Sequence, residues 1–187
     1  GIALAPVDAG GAEPSGWRTL ADERAVIRIA DSIDRAVDAQ DWRLARNYVT
    51  LGASPRPDGM LPMTVTGEIE YQAGYTIPDW ALHWIHGVWN QYRHDGDRTA
   101  TLRLLPVVER VLRWYEPYID DHGTLSDVPE WNLIDWSSVF SSNRSSLITG
   151  LWARGLAEYA EMADWLGNTA SAAWARGLWE QARQGGD

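Results

Sequence analysis

Cysteine is absent from this chain of 187 residues, which excludes disulfide bonds and thiolate metal sites. Proteins of reducing and of oxidising compartments can both lack cysteine, so the cellular location stays open. No apolar run approaches the roughly 20 residues that span a bilayer, and residues 1–11 lack the basic start of a signal peptide. We therefore expect a soluble protein with no membrane partner.

Positive charge is also scarce, because 16 Lys and Arg stand against 26 Asp and Glu, a formal net charge of −10. A surface of this sign repels the phosphates of nucleic acids, so no nucleic-acid partner is expected. The apolar fraction of 45% and the charged fraction of 22% are ordinary for a globular domain with a core. Neutral substrates suit this charge best.

Phenylalanine occurs once, whereas tryptophan occurs twelve times. The apolar faces of an indole stack well on sugars, while its N–H can bond a polar partner, so one interpretation is a carbohydrate site. The alternative is that tryptophan fills the interfaces between helices. Composition alone leaves both interpretations open.

Helical periodicity recurs along the chain without convincing strand alternation, which predicts an all-α protein. Residues 1–19 read as an irregular lead-in and residues 20–187 as helical hairpins. The first helix is expected over 20–38. The second is expected from Asp41 to about Gly52, with these side chains facing inward: Leu44, Tyr48 and Leu51.

The third helix has the clearest start signal, in which Thr76 and Asp79 have the spacing of a capping box around Pro78. It is expected to run to about His94 and to be buried on most sides, because it is apolar nearly all round. The fourth helix follows a short turn and contains Pro106, either near its start or at a kink.

The last two predicted helices are separated by the short turn 166–168. The fifth should bury Ile148, Trp152, Gly155, Tyr159 and Met162, and the sixth should bury Ala170, Ala173, Trp174, Gly177 and Leu178. Short and long connections alternate, which predicts three antiparallel hairpins whose long loops, 56–75 and 120–143, gather at one end. Long loops in a compact domain usually carry function, so we expect the functional site at that end.

One of these loops holds the densest group of candidate site residues, the segment 130–136 with the sequence Glu-Trp-Asn-Leu-Ile-Asp-Trp. Two indoles beside two carboxylates are typical of a surface that stacks on a sugar ring and binds its hydroxyls. The alternative is a loop fixed to the core by its aromatic rings, with the acids in solvent.

Four segments in succession resemble the catalytic domain of the bacterial α-L-rhamnosidases, a six-hairpin glycosidase family. They are Asp-Gly-Met-Leu-Pro at 58–62, Ile-Pro-Asp-Trp-Ala-Leu at 77–82, Tyr-Arg-His-Asp-Gly-Asp at 92–97 and Trp-Asn-Leu-Ile-Asp-Trp at 131–136. The resemblance runs from about Asp41 to the end of the chain, in matching order and spacing. It implies that the three hairpins are part of an (α/α)6 barrel that hydrolyses terminal α-L-rhamnosyl residues with inversion.

The resemblance also implies site residues. By this resemblance Asp79, Asp135 and Trp136 line the pocket for the rhamnosyl ring, and we expect Trp80 and Trp131 to contact the substrate as well. The nearest match to the family's general-acid block is Asp22-Glu23-Arg24, which makes Glu23 the candidate catalytic acid. The aromatic and glycine of that block are replaced here, and the alternative is that these acids only interact with the dipole of a helix's first turn.

Inverting hydrolysis needs two carboxyl groups roughly 6.5–9.5 Å apart. The family's general base lies in a later hairpin, so we expect it beyond Asp187, in a missing C-terminal half. Three hairpins without the rest of a ring would leave two open flanks, which predicts exposed apolar surface or self-association.

No cofactor or metal site is expected. His83 and His86 lie on a nearly apolar helix with no evident carboxylate partner, which favours core or rim histidines over metal ligands. Gly150 and Gly155 are interpreted as sites of close helix packing. Two other functions stay open: a non-catalytic helical module for sugar binding or protein interaction, and another six-hairpin glycosidase.

Overall fold

The computed structural model describes residues 42–62, 76–132 and 144–185. The chain divides into two compact units, Gly1–Trp42 and Arg43–Asp187, and the described helices belong to the second. These are α1 (Arg43–Gly52), α2 (Pro78–Asp95), α3 (Arg98–Trp114), α4 (Ser146–Leu166) and α5 (Thr169–Gly185), with a short 3-10 helix at Glu116–Tyr118. The all-α prediction is confirmed, because the β pairing in these ranges is limited to two isolated bridges. The predicted lead-in and the helix predicted over 20–38 lie outside the described residues.

Helix α2 begins one residue later than the capping pattern predicts. Its N-cap is Ile77, which makes no side-chain capping bond, and Pro78 takes the first turn, where a missing N–H costs nothing. The hydroxyl of Thr76 instead accepts a bond from the side chain of Arg56, over 2.7 Å. The predicted capping role of Thr76 is therefore wrong, because a tertiary contact takes up its side chain. The helix ends at Asp95 and is capped by Gly96, which has a left-handed φ of 60°.

Helices α3 and α4 start with side-chain caps. Asp97 accepts from the N–H of Ala100, and Ser145 accepts from the N–H of Ile148. Pro106 lies inside α3 rather than at its start. The α4 residues that the periodicity places inside are all buried: Ile148, Trp152, Gly155, Tyr159 and Met162. No described helix is long and apolar enough to cross a membrane.

Buried tryptophans join the helices. The indole of Trp152 in α4 donates to the carbonyl of Leu112 in α3 over 3.1 Å, and that of Trp84 in α2 donates to Val49 in α1 over 3.0 Å. The interpretation that tryptophan fills the interfaces between helices is thus correct for Trp152 and Trp84. Close packing is confirmed at Gly155, where an added Cβ would lie 3.2 Å from Leu112 Cδ2.

Three packing predictions are wrong. The predicted inner face of α1 is exposed at Leu44, Tyr48 and Leu51, because the buried residues Val49 and Gly52 form the face that meets α2. Helix α5 buries Ala172, Ala175 and Ala182, a stripe rotated from the predicted one. Small alanines allow a close approach to α4. The larger Trp174 and Leu178 are partly buried and pack against the edge of the core. At Gly150 an added Cβ would meet none of the described residues within 4 Å, so close packing among them does not explain that glycine.

The helices are antiparallel neighbours with their short turns at one end. Arg98, at the start of α3, donates to the carbonyls of Trp165 and Leu166 at the end of α4, over 2.8 and 3.0 Å. At the other end, Arg56 in the first long connection bonds Glu130 in the second, over 2.7 Å. The described parts of the long connections therefore share one end, as predicted, and we call it the loop end.

Candidate functional site

A single guanidinium joins three segments of the loop end. Arg56 Nη1 donates to both carboxylate oxygens of Glu130, over 2.7 and 3.0 Å, and to the hydroxyl of Thr76 over 2.7 Å. The backbone N–H of Trp131 donates to the carbonyl of Thr76 over 3.4 Å. Because its side chain is only 9% exposed, Arg56 links these segments largely out of water.

Asp58 forms the other half of this link. Its carboxylate accepts bonds from Arg56 Nε over 3.0 Å, from the N–H of Met60 over 3.2 Å and from the indole of Trp114 over 3.1 Å. These donors stabilise the ionised form, and the hydrogen bond from Arg56 is the main reason that the pKa of Asp58 lies below its usual value. The same bond raises the pKa of Arg56, so the pair stays charged.

The backbone of the second loop is strained at the same place. Glu130 has a φ of 71° and Asp127 a φ of 52°, in the left-handed region that glycine normally occupies. Each such residue costs of order 1–3 kcal/mol, which the surrounding contacts must offset, and strain of this kind concentrates at functional sites. The bonds from Arg56 hold Glu130 in this conformation, with Trp131 beside it.

Two of the indoles that are predicted to contact sugar are partly exposed at the loop end. Trp131 is 47% exposed and Trp80 is 48% exposed, large values for such apolar rings. The backbone of both residues is bonded to the segment that precedes α2. The N–H of Trp131 donates to the carbonyl of Thr76, and the N–H of Trp80 donates to the carbonyl of Ile77. Trp80 borders a cleft of about 330 Å3, whose other side chains include Tyr48, Leu61, Pro62, Ile77 and Trp84.

Asp79, a further predicted sugar contact, lies in the first turn of α2 and is only 3% exposed. Beside it, the buried Tyr115 donates its hydroxyl to the carbonyl of Pro78 over 2.6 Å. Burial, followed by the negative charges of Asp79 and Glu130, raises the pKa of Tyr115 well above its usual value. Asp79 therefore stands at the base of the site, and its contact with a sugar stays a prediction.

The remaining predicted site residues lie outside the described ranges. Glu23, the candidate acid, precedes residue 42, and Asp135 and Trp136 fall between residues 132 and 144. The structure thus brings together Asp79, Trp80 and Trp131 from the predicted set.

One histidine of α2, His86, has a carboxylate partner that the sequence did not suggest. His86 Nδ1 lies 2.5 Å from Glu158 Oε1 on α4, and the rings of His86 and Trp89 stack with centroids 5.5 Å apart. Burial, followed by the charge of Arg154, lowers the pKa of His83. Within the described ranges, no group of three or more histidine or carboxylate side chains could hold a metal ion.

Sequence reasoning did not assign Arg56, Thr76 or Tyr115 to the site. The segment Arg-Pro-Asp-Gly at 56–59 does contain a signal, since an arginine two positions from an aspartate in a turn can form a local ion pair. Nothing local indicates the partner Glu130, which is 74 positions away.

The comparisons with known proteins agree with this architecture. A family model described as the bacterial alpha-L-rhamnosidase 6 hairpin glycosidase domain matches residues 6–184. The fold is similar to a rhamnosidase from Klebsiella oxytoca with rhamnose bound, at a TM-score of 0.65 and 21% identity, over 76% of this chain and 28% of that one. It is also similar to a GH78 family rhamnosidase of Bacillus sp. GL1, at a TM-score of 0.54 and 24% identity, over 59% of this chain and 12% of that one. No curated protein matches the chain.

Proposed function

The chain belongs to the family of bacterial α-L-rhamnosidase six-hairpin glycosidase domains, and from this premise we propose that it is the sugar-binding part of a glycoside hydrolase. The observation that carries the proposal is the family match over residues 6–184, which includes both long connections of the loop end. The proposed reaction is hydrolysis of terminal α-L-rhamnosyl residues with inversion. The chain spans 28% of the rhamnosidase of Klebsiella oxytoca, so it corresponds to a part of such an enzyme.

The geometry of the loop end supports sugar binding. An exposed indole offers an apolar face to the C–H groups of a pyranose, and Trp131 is such a ring. Its backbone is held by Thr76, and the adjacent Glu130 is held by Arg56, so little ordering is left for the moment of binding. Asp135 and Trp136 are proposed to complete the contacts to the sugar, together with Asp79 and Trp80.

The proposed chemistry requires a carboxylic acid that protonates the leaving oxygen and a carboxylate that activates water, roughly 6.5–9.5 Å apart. We assign the acid to Glu23 and expect the base from a later hairpin of the barrel. Each group contributes about a hundredfold to ten-thousandfold through proton transfer, so a chain with one of them should turn over very slowly. Binding of the sugar should survive.

The binding test uses L-rhamnose and the purified chain, with saturation-transfer NMR as the readout. Trp131→Ala should remove most of the transfer, whereas Trp165→Ala should not, because Trp165 is also exposed but adjoins Leu166 at the short-turn end. Equal transfer in the two variants would contradict the proposed site. Stronger transfer to another hexose than to rhamnose would favour a different six-hairpin glycosidase.

The catalytic test measures hydrolysis of an aryl α-L-rhamnoside by the chain and by its Glu23→Gln and Asp135→Asn variants. We expect turnover near the uncatalysed rate in all three. Rapid hydrolysis that Glu23→Gln abolishes would show that this chain carries both catalytic groups, and the expectation of a separate base would then be wrong.

A further inference from the structure

A second cleft at the loop end is lined in part by Asp58. Its volume is about 460 Å3, and its lining consists of Asp58, Arg110, Arg113, Trp114, Pro117 and Tyr118. This volume falls within the range of small-ligand sites, which is roughly 300–1,000 Å3, and suits one or two sugar units. None of these residues belongs to the sugar-binding set proposed above.

The aromatic wall of this cleft is rigid. The ring of Trp114 contacts that of Tyr118 at a centroid distance of 5.1 Å and meets the edge of Tyr115 at the same distance. The indole N–H of Trp114 also donates to Asp58 over 3.1 Å, and this bond restricts rotation of the ring. A ring held in this way can stack on a sugar without losing further side-chain entropy.

The polar groups around the ring are also held in place. Arg110 Nη2 donates to the carbonyls of Arg56 and Pro57, over 3.2 and 3.4 Å, and its other N–H groups have no partner among the described residues. The guanidinium carbon of Arg113 lies 3.9 Å from the ring centre of Trp174. Donors are therefore positioned along one side of the cleft before any ligand arrives.

The charges of the cleft are close to balanced. Asp58 is paired with Arg56, and Arg113 is paired with Glu109 and Glu116 over 2.9 and 3.1 Å. Because the charge of Arg113 is already neutralised and Asp58 adds a carboxylate to the lining, a charged ligand gains little in this cleft. A hydroxyl group can accept from Arg110 and also donate to a carboxylate, so a neutral polyol uses both kinds of partner.

We propose that this cleft is a second carbohydrate subsite, which binds a neutral pyranose unit of the glycan that bears the rhamnosyl group. The assignment rests on the proposed function. Its place in the molecule supports it, because Glu130, Arg56, Asp58 and Trp114 form one continuous chain of bonds. The cleft is thus linked through Asp58 and Arg56 to Glu130, the residue that precedes Trp131.

The experiment follows the indole N–H resonance of Trp114 by 1H–15N NMR while the chain is titrated with methyl β-D-glucopyranoside. Saturable movement of this resonance is expected, and it should be lost in Arg110→Gln but kept in Arg103→Gln, an exposed arginine on the same helix outside the cleft. Sodium glucuronate should bind more weakly than the neutral glucoside. Absence of saturable movement, equal effects of the two arginine variants or preference for glucuronate would each overturn the assignment.

A second measurement separates this assignment from the proposed function. A rhamnosyl-glucose disaccharide should bind about tenfold more tightly than L-rhamnose, because it occupies the rhamnose site and the second cleft together. Trp114→Ala should abolish this tenfold difference without weakening the binding of L-rhamnose. If rhamnose fails to bind while the glucoside still moves Trp114, the proposed function fails and the cleft stands as a sugar site. If the disaccharide binds no better than rhamnose, the subsite is wrong.

Discussion

Arg56 bonds three side chains from separate parts of the loop end, which are Asp58, Thr76 and Glu130. Replacing it with methionine keeps most of the side chain's volume but leaves Asp58 and Glu130 without their cation. We expect Arg56→Met to lower the free energy of unfolding by about 1–3 kcal/mol, which is less than for a fully buried pair because water screens Asp58. Urea denaturation measures the change. Arg103→Met is the control and should change stability by less than about 0.5 kcal/mol; similar losses in both variants would contradict the role of Arg56.

Asp58 gives this network a dependence on pH. Its pKa is lower in the folded protein than the ordinary value of 3.8. An acid with a depressed pKa stabilises the fold above its unfolded pKa, and that contribution is lost as the pH falls through the folded pKa. The difference in unfolding free energy between the wild type and Asp58→Asn should therefore be full at pH 7 and shrink below about pH 4. A difference that is constant from pH 7 to pH 3 would show that charge on Asp58 is not its cause.

At the scale of whole elements, the glycines separate helix propensity from packing. An added Cβ at Gly150 in α4 or Gly177 in α5 lies more than 4 Å from the rest of the described chain, so Gly150→Ala and Gly177→Ala should each stabilise the protein by about 0.5–1 kcal/mol. Gly123 is the opposite case, with a φ of 82° and a Cβ position 2.6 Å from Gln181 Cγ. Gly123→Ala should destabilise by more than about 1 kcal/mol.

Thermal unfolding of the three variants tests this contrast. Midpoints that rise for Gly150→Ala and Gly177→Ala and fall for Gly123→Ala are expected. A lower midpoint for Gly150→Ala would contradict the prediction and would mean that this face of α4 is packed against a neighbour.

The elements also show how far the sequence predicts this fold. Periodicity located α3 and the core of α4, because a strong apolar repeat over many residues has one helical interpretation. It misplaced the inner face of α1, since the side of this helix with Leu44, Tyr48 and Leu51 is exposed and the contact with Trp84 selects the other side. The predicted capping role of Thr76 was wrong for a related reason. Its bond with Arg56 spans 20 positions, and no local sequence pattern contains it.

The candidate site was predicted less completely than the helices. The alternation of short and long connections was enough to bring both loops to one end, and the exposed Trp131 follows from that placement. The arginine that joins the loops was not predictable, because its partners Thr76 and Glu130 come together only after α2 and α3 have packed. Long-range ion pairs of this kind depend on tertiary structure rather than on spacing.

At the scale of the whole molecule, helix α1 presents an exposed apolar face. Leu44, Tyr48 and Leu51 are spaced by four and three residues, lie on one side of the helix and are exposed. A contiguous apolar patch of this kind favours association or the binding of apolar dyes. We expect the purified chain to show a concentration-dependent weight-average mass in sedimentation equilibrium, and Leu44→Lys/Leu51→Lys to reduce it. Leu102→Lys, on the exposed side of α3, is the matched control. A monodisperse monomer that binds no apolar dye would show that other parts of the chain cover this face.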